Sequence, residues 1–99
     1  MLHPALPDDP GHELWKRDFQ GAGGLFGIEL EPVAPSMVQA MLNRLKLFGM
    51  GFSWGGYESL IVPSDVQKDR FPGCWHFEGP LLRLSVGLED PEDLIQDLE

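Results

Sequence analysis

Arg83 lies in an otherwise apolar stretch, Leu81-Leu82-Arg83-Leu84-Ser85-Val86. A guanidinium in such surroundings must meet an anion, because leaving it bare in a low-dielectric layer costs too much to persist. Two chemistries satisfy that need. One is a structural salt bridge to a carboxylate of the chain itself. The other is a carboxylate that arrives with a ligand and is gripped by two parallel N–H donors. Periodicity leaves both open. A second candidate pair, Ser53 and Trp54, stands among Gly51, Gly55 and Gly56, and such a density of small residues lets the backbone pass close to another strand or a ligand. His3, His12, Cys74 and His76 are the histidine and cysteine ligands on offer for a metal. Only Cys74-x-His76 has a short spacing, whereas a closed zinc site takes four ligands, usually in paired short spacings. No metal is expected. A nucleophilic pair of Cys74 with a histidine lacks a third orienting group and an oxyanion motif.

The elements that must carry these residues follow from hydrophobic period. Phe26, Ile28 and Leu30 alternate with Leu25, Gly27 and Glu29, which predicts a strand over 24–31 with one buried face. Val38, Met41, Leu42, Leu45 and Phe48 recur at three- and four-residue steps, predicting a helix over 36–48 capped by Gly49. A short strand is expected over 59–62 and a third over 82–86, where Leu82, Leu84 and Val86 alternate with Arg83 and Ser85. Asp90-Pro91-Glu92-Asp93 is a helix start: an amino-cap, a proline in the first turn and acids at the positive end of the dipole. That helix covers 91–99. Residues 1–23, broken by Pro4, Pro7, Pro10 and Gly21-Ala22-Gly23, should form an extended arm with a helical turn or two at 11–19, leaving 24–99 as the folded core. The fold class expected is α/β, a small α+β sandwich with a mostly antiparallel sheet and helices on one face.

Bulk composition narrows the function classes. The 99 residues carry 7 basic and 16 acidic side chains, a formal charge of −9. Phosphate backbones and anionic membrane surfaces are repelled by such a chain, so nucleic acid and membrane are not expected partners. Three Trp and six Phe make it too rich in large apolar groups for a disordered tail. One cysteine allows no disulfide within the chain, and Met1-Leu2-His3-Pro4 lacks the basic flank and apolar run of a secretory signal. A reducing cytoplasm is the expected setting.

Two runs then resemble a known family. Lys46-Leu47-Phe48-Gly49-Met50-Gly51-Phe52-Ser53-Trp54-Gly55-Gly56-Tyr57-Glu58-Ser59-Leu60 and Leu82-Arg83-Leu84-Ser85-Val86-Gly87-Leu88-Glu89-Asp90 look like the carboxyl-terminal domain of cystathionine β-lyases. More broadly they are similar to the Cys/Met-metabolism family of pyridoxal-phosphate enzymes. His3-Pro4-Ala5-Leu6-Pro7, Trp15-Lys16-Arg17-Asp18-Phe19 and Gly24-Leu25-Phe26 match the same family's upstream segment, so the likeness covers nearly the whole chain in order.

The resemblance implies that Arg83 grips the substrate's α-carboxylate, that Ser53 lies beside that carboxylate and the cofactor, and that Trp54 is an aromatic wall of the pocket. Trp54 is the form found in β-lyase-like members, where synthases and γ-lyases more often carry leucine. Phe52 departs from the tyrosine of many β-lyases, and Tyr57 and Glu58 read as structural. In the complete enzyme the family's cofactor, pyridoxal 5′-phosphate, labilises the α-proton of cystathionine and the β-carbon–sulfur bond breaks, giving homocysteine, pyruvate and ammonia.

Lys16, Lys46 and Lys68 do not resemble the family's Schiff-base lysine, and its phosphate cradle and pyridine-pairing aspartate are also missing from this sequence. The chain is therefore expected to be a carboxyl-terminal portion, with no catalytic residue of its own. Its partners would be an amino-acid thioether, the large cofactor domain and further subunits of an oligomer. A non-catalytic remnant or interaction module docking onto an intact paralogue is the alternative from another class. Separated from a larger domain, the chain should expose an apolar patch and self-associate or fold only in part.

Overall fold

The computed structural model describes residues 1–65 and 76–99. Elements follow in the order α1 (His12–Asp18), β1 (Leu25–Glu29), α2 (Pro35–Arg44), β2 (Gly49–Met50), β3 (Leu60–Ser64), β4 (Leu81–Ser85) and α3 (Pro91–Leu98). One four-stranded sheet has the order β1-β4-β3-β2. β4 is antiparallel to both β1 and β3, while β2 runs parallel to β3. The α/β class and the helices on one face agree with expectation, and the parallel edge makes the sheet mixed.

Strand period sorts the two faces. Phe26 pairs with Leu84, Ile28 with Leu82, and Ile61 with Leu84, so these side chains share one face. Against it pack Val38 and Leu42 of α2, Leu94 of α3 and the buried ring of Phe48. Ile61, Leu82 and Leu84 are at most 1% exposed, which makes this layer the centre of the core. Arg83, flanked by Gly27 and Val62, lies on the face opposite α2 and α3.

Helix α2 stops four residues before the predicted end, and Gly49 is a strand residue rather than its cap. The cause is Asp97 of α3. Its carboxylate accepts from the amides of Lys46, Leu47 and Phe48 at 2.8, 2.8 and 3.1 Å, so these N–H groups find an anion instead of helical carbonyls. Leu45 is already extended, and the chain enters β2 beside Leu60 and Ile61. By contrast, α3 starts as predicted, with Asp90 Oδ1 accepting from the Glu92 amide at 2.9 Å.

The amino-terminal arm is tied to the sheet at one rung. The Leu2 amide donates to the Gly27 carbonyl at 2.7 Å, and the Gly27 amide donates back at 3.2 Å, against the free edge of β1. The helical turns expected at 11–19 are α1, which packs Trp15 on His12 at 5.9 Å between ring centroids.

Candidate functional site

Strand β4 delivers Arg83 and Ser85 to the face opposite α2 and α3, and both reach the segment between β2 and β3. One guanidinium nitrogen, Nη2, donates to three successive carbonyls: Gly51 at 3.4 Å, Phe52 at 2.7 Å and Ser53 at 3.2 Å. The guanidinium carbon also stands 5.4 Å from the Trp54 ring centroid, within the range of a cation–π contact. Arg83, Ser53 and Trp54 are thus brought together, as one side chain held by the backbone of the second and the ring of the third.

Among the described residues the charge on Arg83 is nevertheless unanswered. No carboxylate among the described residues lies within ion-pairing distance of it, and its Nε is buried without a hydrogen-bond partner there. Carbonyl oxygens carry only partial charge. They orient the guanidinium while leaving its unit positive charge available to an anion. The Ser53 hydroxyl is on an exposed residue and bonds to no described group. Trp54 is 62% exposed, so its outer face is open. Such a site suits a small carboxylate that reaches the guanidinium from outside, with an aromatic plane beside it.

A second set of contacts, not anticipated from sequence, fixes the shape of the 51–58 loop. Ser85 Oγ accepts from the Gly55 amide at 3.1 Å, and Gly55 adopts a φ of +77°, a conformation suited to glycine. The Leu88 amide donates to the Tyr57 carbonyl at 2.9 Å. Gly87 passes so close that a Cβ there would sit 2.2 Å from the Tyr57 carbonyl oxygen. Ser59, fully buried, donates its amide to Glu89 Oε1 at 2.8 Å and its hydroxyl to Glu89 Oε2 at 2.7 Å. These donations from Ser59 hold the Glu89 carboxyl below its ordinary pKa, the backbone amide contributing most. The spacing of Arg83, Ser85, Gly87 and Glu89 carried that signal, since alternate residues of a strand and its extension meet one neighbouring segment.

The remaining sequence candidates fall elsewhere. His3 and His12 both contact Trp15, and the His12 ring nitrogen bonds the Pro4 carbonyl at 2.9 Å. His76 is exposed, while Cys74 and Lys68 lie outside the described residues. Among the described residues no group of three or more His, Cys, Asp or Glu could hold a metal ion. Lys16 is exposed on α1. Lys46 is exposed on the helix-bearing side, its amide bonded to Asp97. Neither lysine side chain is hydrogen-bonded to the 51–58 loop among the described residues, so the groups gathered there, a guanidinium and a hydroxyl, fit a carboxylate and include no described lysine amine to anchor an aldehyde. No described helix is long and apolar enough to cross a membrane.

Known proteins share this arrangement of sequence and fold. Residues 1–99 match the family described as Cys/Met metabolism PLP-dependent enzyme. The chain is 48% identical to a cystathionine beta-lyase of Escherichia coli (strain K12), over 98% of this chain and 26% of that protein. It is 46% identical to an L-alanine/L-glutamate racemase of Wolbachia pipientis wMel, over 99% of this chain and 25% of that protein. Among solved structures, an apo methionine gamma lyase from Micromonospora echinospora superposes with a TM-score of 0.73 at 33% identity, over 96% of this chain and 23% of the other. The chain thus spans about a quarter of the length of the curated relatives it matches.

Proposed function

The chain belongs to the Cys/Met metabolism PLP-dependent enzymes, and on that premise we propose that it is the carboxyl-terminal part of a carbon–sulfur β-lyase. In the complete subunit, with pyridoxal phosphate, the reaction would convert cystathionine and water to homocysteine, pyruvate and ammonia, a step of methionine biosynthesis by transsulfuration. The cofactor, when bound in the rest of the subunit, supplies an electron sink for the substrate's carbanion. This chain contributes the recognition of the substrate.

Arg83 binds the α-carboxylate, Ser53 offers its hydroxyl to the same carboxylate and to the cofactor, and Trp54 walls the pocket. The supporting observation is the guanidinium itself: half-buried, oriented by three carbonyls, stacked on an indole and unpaired with any described carboxylate. A charge so arranged is pre-organised for an anionic ligand, which lowers the cost of ordering it at the moment of binding. The large cofactor domain and further subunits of the oligomer are the macromolecular partners, in a cytoplasmic enzyme.

The test is cystathionine cleavage by the complete subunit, followed by pyruvate release, for the parent and for Arg83→Ala. Loss of a charge-assisted carboxylate pair should raise KM by roughly 30- to 1,000-fold, corresponding to about 2–4 kcal/mol. An unchanged KM removes the clamp. Turnover of L-alanine to its enantiomer without pyruvate would move the proposal from lyase to racemase, the activity named for the Wolbachia relative. Absence of turnover by the complete subunit would favour the non-catalytic module.

A further inference from the structure

The loop that caps Arg83 has no hydrophobic anchor. Every residue from 52 to 58 is exposed, including Phe52 at 78% and Tyr57 at 71%, so burial does not dictate its path. Its shape is set instead by polar contacts at its ends and middle, and one of these differs in kind from the rest. Ser59 closes the loop, is fully buried, and has every polar group engaged. Its amide and hydroxyl donate to the two oxygens of Glu89, its hydroxyl oxygen accepts from the Gly87 amide at 2.9 Å, and its carbonyl accepts from the Gly49 amide at 2.9 Å. An ionised carboxylate suits both Ser59 donors at once, since it is purely an acceptor at both oxygens.

We propose that Glu89 is a positioning residue of the anion site: through Ser59 it fixes the 51–58 loop, and hence the carbonyls that orient Arg83 and the place of Ser53 and Trp54. The assignment rests on the reading of Arg83 as carboxylate clamp. Glu89 touches neither Arg83 nor the ligand in this scheme, and its influence passes through the loop alone. Glu89→Gln keeps the side-chain shape but turns one acceptor into an N–H donor. One of the two Ser59 donors then loses its partner in a fully buried position, which favours displacement of the loop that Ser59 closes.

A double-mutant cycle on kcat/KM for cystathionine, in the complete subunit, tests this with Arg83→Ala, Glu89→Gln and the pair combined. Glu89→Gln is expected to lower kcat/KM about tenfold, mainly through KM, the effect of roughly one hydrogen bond's worth of lost positioning. In the Arg83→Ala background the same change should have less than a threefold effect, because the guanidinium that the loop carbonyls orient is gone and only the lesser contacts of Ser53 and Trp54 remain to be positioned. A purely structural role would lower both backgrounds equally, and that additivity overturns the inference. If Arg83→Ala lowers kcat/KM while Glu89→Gln leaves it unaltered, the positioning role fails and the clamp stands. If Arg83→Ala itself has no effect, the clamp fails and the positioning role with it. Should Glu89→Gln not fold, Ser59→Ala replaces it in the same cycle. It removes the hydroxyl from this network and leaves the Ser59 amide on Glu89, with the same coupling expected and the same additivity decisive against.

Discussion

Replacing Asp97 with alanine should destabilise the domain by roughly 2 kcal/mol. The figure comes from three amides that share this one carboxylate, those of Lys46, Leu47 and Phe48. The first two belong to exposed residues, where water takes over the bond, so each contributes only about 0.5 kcal/mol net. Phe48 is 5% exposed, and its amide would lose its partner at the edge of the core, at a cost of about 1 kcal/mol, the low end of the range for an unpaired buried donor. Together these shift the folding equilibrium about thirtyfold.

Acid offers an independent check on the same bonds. Desolvation raises the Asp97 carboxyl, but donation from the three amides and the nearby Lys46 charge outweigh it and leave the pKa below its ordinary value. A carboxylate held down in the folded state stabilises fully above the unfolded pKa of about 4, and that contribution fades as pH falls through the folded value. Urea unfolding followed by circular dichroism at pH 7, and again below about pH 4, should therefore show the gap between parent and Asp97→Ala closing in acid. Hydrogen exchange at residues 46–48 should quicken in the variant at pH 7. A variant within about 0.5 kcal/mol of the parent, the scatter of ordinary surface changes, would refute the reasoning. So would a gap that persists undiminished in acid.

Three further outcomes are expected. Leu84→Ala, in the centre of the core at 1% exposure, should cost roughly 2–5 kcal/mol in urea unfolding. Gly87→Ala places a methyl against the Tyr57 carbonyl, so it should displace the 51–58 loop and lower kcat/KM of the complete subunit several-fold, while costing about 1–3 kcal/mol in unfolding free energy. Sedimentation of the isolated chain should show self-association rising with concentration, since Phe52, Trp54, Tyr57 and Leu88 are all more than 60% exposed. A monomer with a sharp two-state melt would contradict that.

Much of the architecture was legible because side-chain period reports the backbone directly. Phe26 with Ile28, and Leu82 with Leu84, alternated as paired inner faces must, and Asp90-Pro91 announced α3. The end of α2 was not legible, because Leu45 and Phe48 kept a helical spacing while a carboxylate fifty residues away took the amides that would have continued the helix. Strand β2 was invisible for a different reason: Gly49 and Met50 carry too little pattern to register, and their pairing is set by β3. At the site, the unusual charge of Arg83 within an apolar run pointed to Ser53 and Trp54 only through family likeness. Glu89 stood in the family-like run without a role of its own, one acid among 16, since its distinction lies in meeting a buried serine rather than in its type.

The rung between Leu2 and Gly27 has a bearing on how copies of this chain can gather. At one border of the sheet it occupies the midpoint of β1, and at the other border β2 is only two residues long. Neither border offers the run of vacant amides and carbonyls that templates a further strand from another molecule. Clusters of the chain should accordingly form face to face through aromatic contacts and dissolve on dilution, without seeding cross-β fibrils.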